Sequence, residues 1–170
     1  VFANLDPKYA EISITCTAPS KTFNLAGLQT SNIFIPNRTL RKTFKKAIDQ
    51  AGYSQLNTLG LVACQAAYEE GEPWLTELKK YLLENLDFSR DYIERNLPGV
   101  HLIEPEGTYL IWLDFRDLGL PEEKLEHLIT KEAKLWLDSG DIFGTDGEGF
   151  ERINIACPRT TLKEAFDRLA

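Results

Sequence analysis

Apolar and polar side chains alternate over residues 12–17, and Ile12, Ile14, Thr15 and Thr17 are β-branched, the period and composition of a strand. Pro19 cannot continue a ladder, and Gly27 lets backbone or a ligand come close. A second short strand is expected over 29–35, ended by Pro36 and Asn37. The period then changes to that of a helix. Over 38–51, Leu40, Phe44, Ala47, Ile48 and Ala51 share one face. Over 57–70, Leu61, Cys64, Ala67 and Tyr68 form a face with small residues suited to close packing. Pro73 opens a longer helix to about residue 96, striped by Trp74, Leu78, Tyr81, Leu82, Leu86 and Ile93 and ended by Pro98 and Gly99.

The last third alternates strands and helices. Strands are expected at 100–103 and 108–114, around the turn residues of 104–107. A helix follows over 122–134 behind Pro121, with Leu125, Leu128 and Ile129 inward, then a short strand at 135–138 and a glycine-rich loop at 138–149. Residues 151–157 alternate as a strand, and Thr161 with Glu164 reads as a capping box opening a final helix. The pattern is α/β.

Charge and composition narrow the function classes. A net charge of -7 argues against a nucleic-acid partner, and the scattered acidic residues read as a solvated surface. No apolar run reaches about 18 residues, so no membrane span is expected. No signal peptide is visible either, and the expected location is the cytoplasm. Cys16, Cys64 and Cys157 are an odd number in apolar or small-residue settings, which fits buried thiols in a reducing compartment. No CxxC pair occurs and His101 and His127 lack ligand spacing, so no metal site is expected. The chain has no methionine and begins Val-Phe-Ala-Asn, so it reads as a fragment, a processed product or an engineered form.

Lys21 is the residue with chemistry to offer. It follows a strand, in a turn of small residues. Such a lysine either reaches solvent or, if its flanks are buried, sits where the neutral, nucleophilic amine is favoured. A neutral amine there can form an imine with an aldehyde cofactor and later move a proton.

The segment TAPSKTFNLAGL at 17–28 resembles the lysine segment of fold-type-I pyridoxal-phosphate enzymes, the class I/II aminotransferases in the broad sense. Its TFNLAGL portion resembles the cystathionine β-lyase-like branch, the cysteine-S-conjugate C–S lyases. Two further segments agree in order: EPEGTYLIWLD at 104–114 is similar to that branch's small-domain strand pair, and GFERINIACPR at 149–159 to its carboxylate-arginine strand. The resemblance implies the C-terminal half of such an enzyme. Residues 1–74 would be the C-terminal part of a PLP-transferase-like large domain, and 75–170 an α+β small domain. It implies pyridoxal 5'-phosphate as cofactor, Lys21 as the lysine that carries it and takes the Cα proton, and Arg152 as the grip on an amino-acid substrate's carboxylate. Guanidinium suits that role because its planar fork matches a carboxylate at two points. Arg159 is a second candidate, expected to be structural. The implied activity is C–S β-lysis of cystathionine or related conjugates, with transamination as the alternative and a non-catalytic module as the second. The implied assembly is a homodimer. Family members often place a serine three residues before the lysine and an arginine eight after it, both on the cofactor phosphate. Ala18 and Gln29 stand there, which leaves the hydroxyls of Thr17 and Ser20 as possible substitutes.

Overall fold

The computed structural model describes residues 1–53 and 55–170. It divides into two compact units, Val1–Glu77 and Leu78–Ala170.

The first unit carries α1 (Pro7–Glu11), β1 (Thr15–Thr17), β2 (Asn32–Phe34), α2 (Arg38–Gln50), α3 (Thr58–Glu70) and the start of α4 (Glu72–Asn96). β1 and β2 pair antiparallel, Cys16 opposite Ile33. Both strands are shorter than the alternation suggests. Pro7, with Asp6 accepting from the Lys8 amide, starts α1 instead, and the chain straightens only at Thr15. α2 and α3 begin at side-chain caps: Asn37 accepts from the amides of Thr39 and Leu40, and Asn57 from that of Leu59. α2 has no buried residue, however, although Leu40, Phe44 and Ile48 lie on one face. The buried apolar side chains of this unit are few, Ile35 and Cys64 among them, and Ile12, Leu59 and Val62 are exposed. Cys16 is exposed too, against expectation, because β1 belongs to a two-stranded ribbon with little packed on it.

The second unit, which includes most of α4, holds the core. A four-stranded antiparallel sheet has the order β3 (His101–Ile103), β4 (Leu110–Asp114), β6 (Phe150–Asn154), β5 (Asp138–Ser139). Ile111 and Leu113 of β4 and Ile153 of β6 point to one face and pack with Ile93 and Leu97 of α4, Leu125 of α5 (Glu122–His127), and Leu162 and Phe166 of α6 (Arg159–Leu169). The helix expected over 122–134 is α only to His127 and widens to a π-turn at Leu128–Glu132. The Thr161–Glu164 capping box is not used. Pro158, at φ -55°, sets the first turn at Arg159, so Thr161 already lies inside α6.

Asn85, Ser89, Asp114 and Glu151 are the buried polar residues described in this unit, and two of them shape its core. Asn85 of α4, wholly buried, donates to the carbonyls of Ile155 (2.7 Å) and Cys157 (3.0 Å) and accepts from Arg159 Nε at 2.7 Å. It thereby satisfies the backbone that leaves β6. Glu151 is the second. The pleat of β6 places it on the same face as Ile153, opposite Leu113, where it is 1% exposed and its Oε1 has no partner among the described residues. Loss of hydration pushes its carboxyl up to about 7, and the carboxylates of Glu126, Glu122, Asp141 and Asp138 push the same way.

Two predictions follow from these side chains. Asn85→Ala strands two buried carbonyls and the Arg159 bond, and the urea midpoint of the second unit falls by an amount worth about 2–3 kcal/mol. Glu151 makes stability depend on pH. The folded state holds this proton more tightly than the unfolded chain, so stability is greatest below the ordinary carboxyl value of 4.5 and declines as pH rises to about 7. Above that the loss is complete and amounts to at most about 3 kcal/mol. Glu151→Gln therefore raises the thermal midpoint at pH 8 and leaves it nearly unchanged at pH 4. Equal gains at both pH values would show that the ionised carboxyl carries no penalty.

Candidate functional site

The turn after β1 is anchored from behind. Pro19 is buried, and its carbonyl accepts from the Phe23 amide at 2.9 Å, while Ser20 O accepts from the Leu25 amide at 2.9 Å. The Phe23 ring lies 6.1 Å from both Tyr68 and Trp74. It fits against Gly71 so closely that a Cβ there would come within 2.6 Å of the ring. A second close approach supports the exit of the turn: a Cβ on Gly60 of α3 would meet Thr30 Oγ1 at 2.1 Å and Leu28 O at 3.0 Å. The small-residue face of α3 thus serves the lysine turn. Asn24 (φ 56°) and Gln29 (φ 51°) reverse the chain on either side of the single 3₁₀ turn Ala26–Leu28.

Lys21 stands on the exposed side of this anchored turn, between half-buried Ser20 and exposed Thr22. The apolar surroundings expected from its neighbours are therefore not supplied by them: Pro19 and Phe23 turn inward and hold the turn, and Lys21 turns out. Among the described residues the lysine ion pairs are Lys8–Asp6 and Lys163–Asp167, and Lys21 is in neither. Thr17 ends β1 with its side chain exposed. The nearest hydroxyl bonds in sequence are those of Ser13 to Tyr9 O and Thr30 to Leu28 O, so Thr17 and Ser20 lie between them uncommitted among the described residues. A Cβ on Gly27 would meet nothing within 4 Å, so no contact among the described residues accounts for a glycine there. Among the described residues Lys21 has no acidic partner, and the hydroxyls of Thr17 and Ser20 lie close to it in sequence.

Arg152 lies in the second unit, on the face of β6 opposite Glu151. Asp138 is its cross-strand partner on β5 and Trp112 its partner on β4. Arg152 donates to Asp138 Oδ2 from Nε at 3.1 Å and from Nη2 at 2.6 Å, and its guanidinium lies 4.6 Å over the Phe143 ring. Phe143 in turn meets Trp112 edge-on at 5.2 Å. With Asn154, Cys157 and Thr161, Arg152 and Asp138 line an open cleft of about 260 Å³. Burial raises the Cys157 thiol, which keeps it protonated and unreactive near neutral pH.

Lys21, Thr17 and Ser20 share one unit and Arg152 belongs to the other. Arg159 is held inside its own unit, through Nε to Asn85, its amide to Tyr81 Oη at 2.7 Å, and its guanidinium 4.7 Å over Phe88, an arrangement for joining α6 to α4. Asp138 and Phe143 escaped the sequence reading. The register of β5 against β6 brings Asp138 to Arg152, and the 3₁₀ turn Gly140–Phe143 that follows β5 carries Phe143; a two-residue strand leaves little periodicity to read. Among the described residues no group of three or more His, Cys, Asp or Glu is placed to hold a metal, and no helix is long and apolar enough to cross a membrane.

No protein-family model matches the chain. Curated proteins and solved structures do. The chain is 42% identical over 168 residues to cystathionine beta-lyase PatB of Bacillus subtilis, covering 99% of this chain and 43% of PatB. It is 37% identical over 173 residues to cystathionine beta-lyase of Corynebacterium glutamicum, covering 100% of this chain and 45% of that protein. Cystalysin of Treponema denticola, whose crystal structure contains a pyridoxal 5'-phosphate cofactor, matches with a TM-score of 0.93 at 41% identity over 99% of this chain and 43% of its own. The chain spans less than half the length of these relatives. In sequence and in fold, end to end, it is similar to the C-terminal part of cystathionine beta-lyases and of fold-type-I enzymes that bind pyridoxal phosphate.

Proposed function

We propose that the chain is the C-terminal portion of a carbon–sulfur β-lyase that uses pyridoxal 5'-phosphate. It would act on cystathionine or related cysteine S-conjugates to give a thiol, pyruvate and ammonia. The observation that carries the reading is the anchored turn that presents Lys21, within a segment of the lyase pattern. Residues 1–74 are then the end of the cofactor-binding large domain and 75–170 the small domain, in a cytoplasmic homodimer.

Lys21 would hold the cofactor through its amine, and Thr17 and Ser20 would offer hydroxyls to its phosphate. Bound there, the cofactor supplies an electron sink for the pair left on the substrate's Cα. Lys21 would also be the base that takes the Cα proton. Removal of that proton by Lys21 sets up departure of the thiolate from Cβ. Arg152 holds the α-carboxylate at two points and so fixes the direction of the Cα–H bond. The anchor on Phe23 keeps the amine's backbone from drifting, which matters because a proton transfer needs its partners within hydrogen-bond reach.

In the full-length enzyme, Lys21→Ala is expected to lower pyruvate release from L-cystathionine by about a thousandfold or more. Borohydride reduction of the wild-type enzyme is expected to leave pyridoxyl on the Lys21 peptide. Near-wild-type turnover in the variant, or the label on another lysine, rejects the assignment. Keto-acid exchange in place of pyruvate release moves the activity to transamination.

A further inference from the structure

Arginine has two edges that can grip a carboxylate at two points: the side edge, Nε with Nη2, and the end edge, Nη1 with Nη2. In Arg152 the side edge is already taken. Both of its bonds run to a single oxygen of Asp138, Oδ2, so one hydrogen on Nη2 and both on Nη1 remain unspent. The guanidinium is also fixed out of plane, since Phe143 lies under it at 4.6 Å and is itself set against Trp112. Asp138 and the Trp112 that backs Phe143 are both placed by the sheet. Asp138 faces Arg152 by the register of β5 against β6, and Trp112 faces it by the register of β4 against β6. Arg152 is about one quarter exposed and Asp138 about one half, so the pair is reachable by solutes while its geometry is held by strands.

We infer that Asp138 and Phe143 are positioning residues that lock Arg152 by its side edge and lower face and so present its end edge, preset, to an incoming carboxylate. The inference rests on the proposed role of Arg152 and names what makes that role work. An unheld arginine side chain loses substantial rotamer freedom when it binds; here that cost is met in folding. Asp138 carries a charge of the same sign as the ligand. The end-edge ligand, however, approaches the adjacent edge, beyond the shared Nη2, and repulsion over that longer distance is weaker than attraction at contact. Positioning therefore outweighs competition.

The 170-residue chain itself suffices for the test, with acetate as the probe and the ¹⁵N side-chain resonances of Arg152 as the signal. In the wild type the Nε–H resonance is expected to be dispersed and slow to exchange. Acetate is expected to shift the Nη resonances and leave Nε in place. Asp138→Ala should collapse the Nε–H signal toward that of a free arginine and weaken acetate binding by roughly tenfold. Asp138→Asn keeps an acceptor oxygen on the same edge and should restore binding to within about threefold of wild type. Acetate binding unchanged or tighter in Asp138→Ala, or acetate displacing Asp138 so that Nε shifts, overturns the inference and leaves the carboxylate role of Arg152 standing. An acetate response that survives in Arg152→Ala removes that role, and the inference with it. No cofactor, lysine or turnover enters the measurement, so a failed lyase assay does not bear on it.

Discussion

The pleat of β6 is the constraint from which most of the second unit follows. A strand sends successive side chains to opposite faces, so Arg152 and Glu151 cannot both face the cleft or both face the core. Arg152 goes outward, into a row with Trp112 and Asp138 that three strands place side by side. Glu151 goes inward, beside Ile153, into a layer built mainly of aliphatic and aromatic side chains. A one-residue slip would exchange the two and bury the guanidinium. Register here is a functional quantity: it decides which charged group meets a solute and which is sealed away.

The same strand also has to end well. β6 leaves the sheet at Asn154 and the chain enters α6 at Arg159, and the carbonyls between them have no ladder to join. Asn85 takes two of them from the flank of α4 and uses its own carbonyl to fix Arg159. One amide thereby ties the sheet, the long helix and the last helix together. This explains why the second arginine of the motif is committed to structure while the first stays accessible.

Much of the fold was legible in the sequence. The helices at 38–50, 58–70 and 72–96 emerge from periodicity with boundaries within a residue or so, because apolar faces and the asparagines at 37 and 57 act locally. The lysine turn was legible because its residues are contiguous. What was not legible depends on pairing at a distance. The helical turn at Pro7 shortens a strand that looks longer by alternation. Pro158 pre-empts a capping box that is sound in isolation. The exposure of Lys21 depends on which neighbours turn inward, and that is settled by Gly71, Tyr68 and Trp74, some fifty residues downstream. Asp138 comes to Arg152 through a strand of two residues, too short to announce itself, and Phe143 through the 3₁₀ turn after it.

The lysine turn and the arginine strand solve a similar problem by different means. A reactive amine must be held at its backbone while its tip stays mobile, since it has to bind, let go and carry a proton. On the role proposed for Lys21, the turn does this with contacts at Pro19 and Phe23 and, among the described residues, no hydrogen bond or ion pair on the lysine side chain. A guanidinium that orients a carboxylate needs the reverse, a fixed tip. Arg152 is therefore gripped at Nε, at Nη2 and across its face, with only its outer edge left open. Rigidity is placed at the atoms that must not move and withheld from those that must. In both places the residues that impose it, Phe23 in one and Asp138 in the other, are not the ones that would touch the reacting bond.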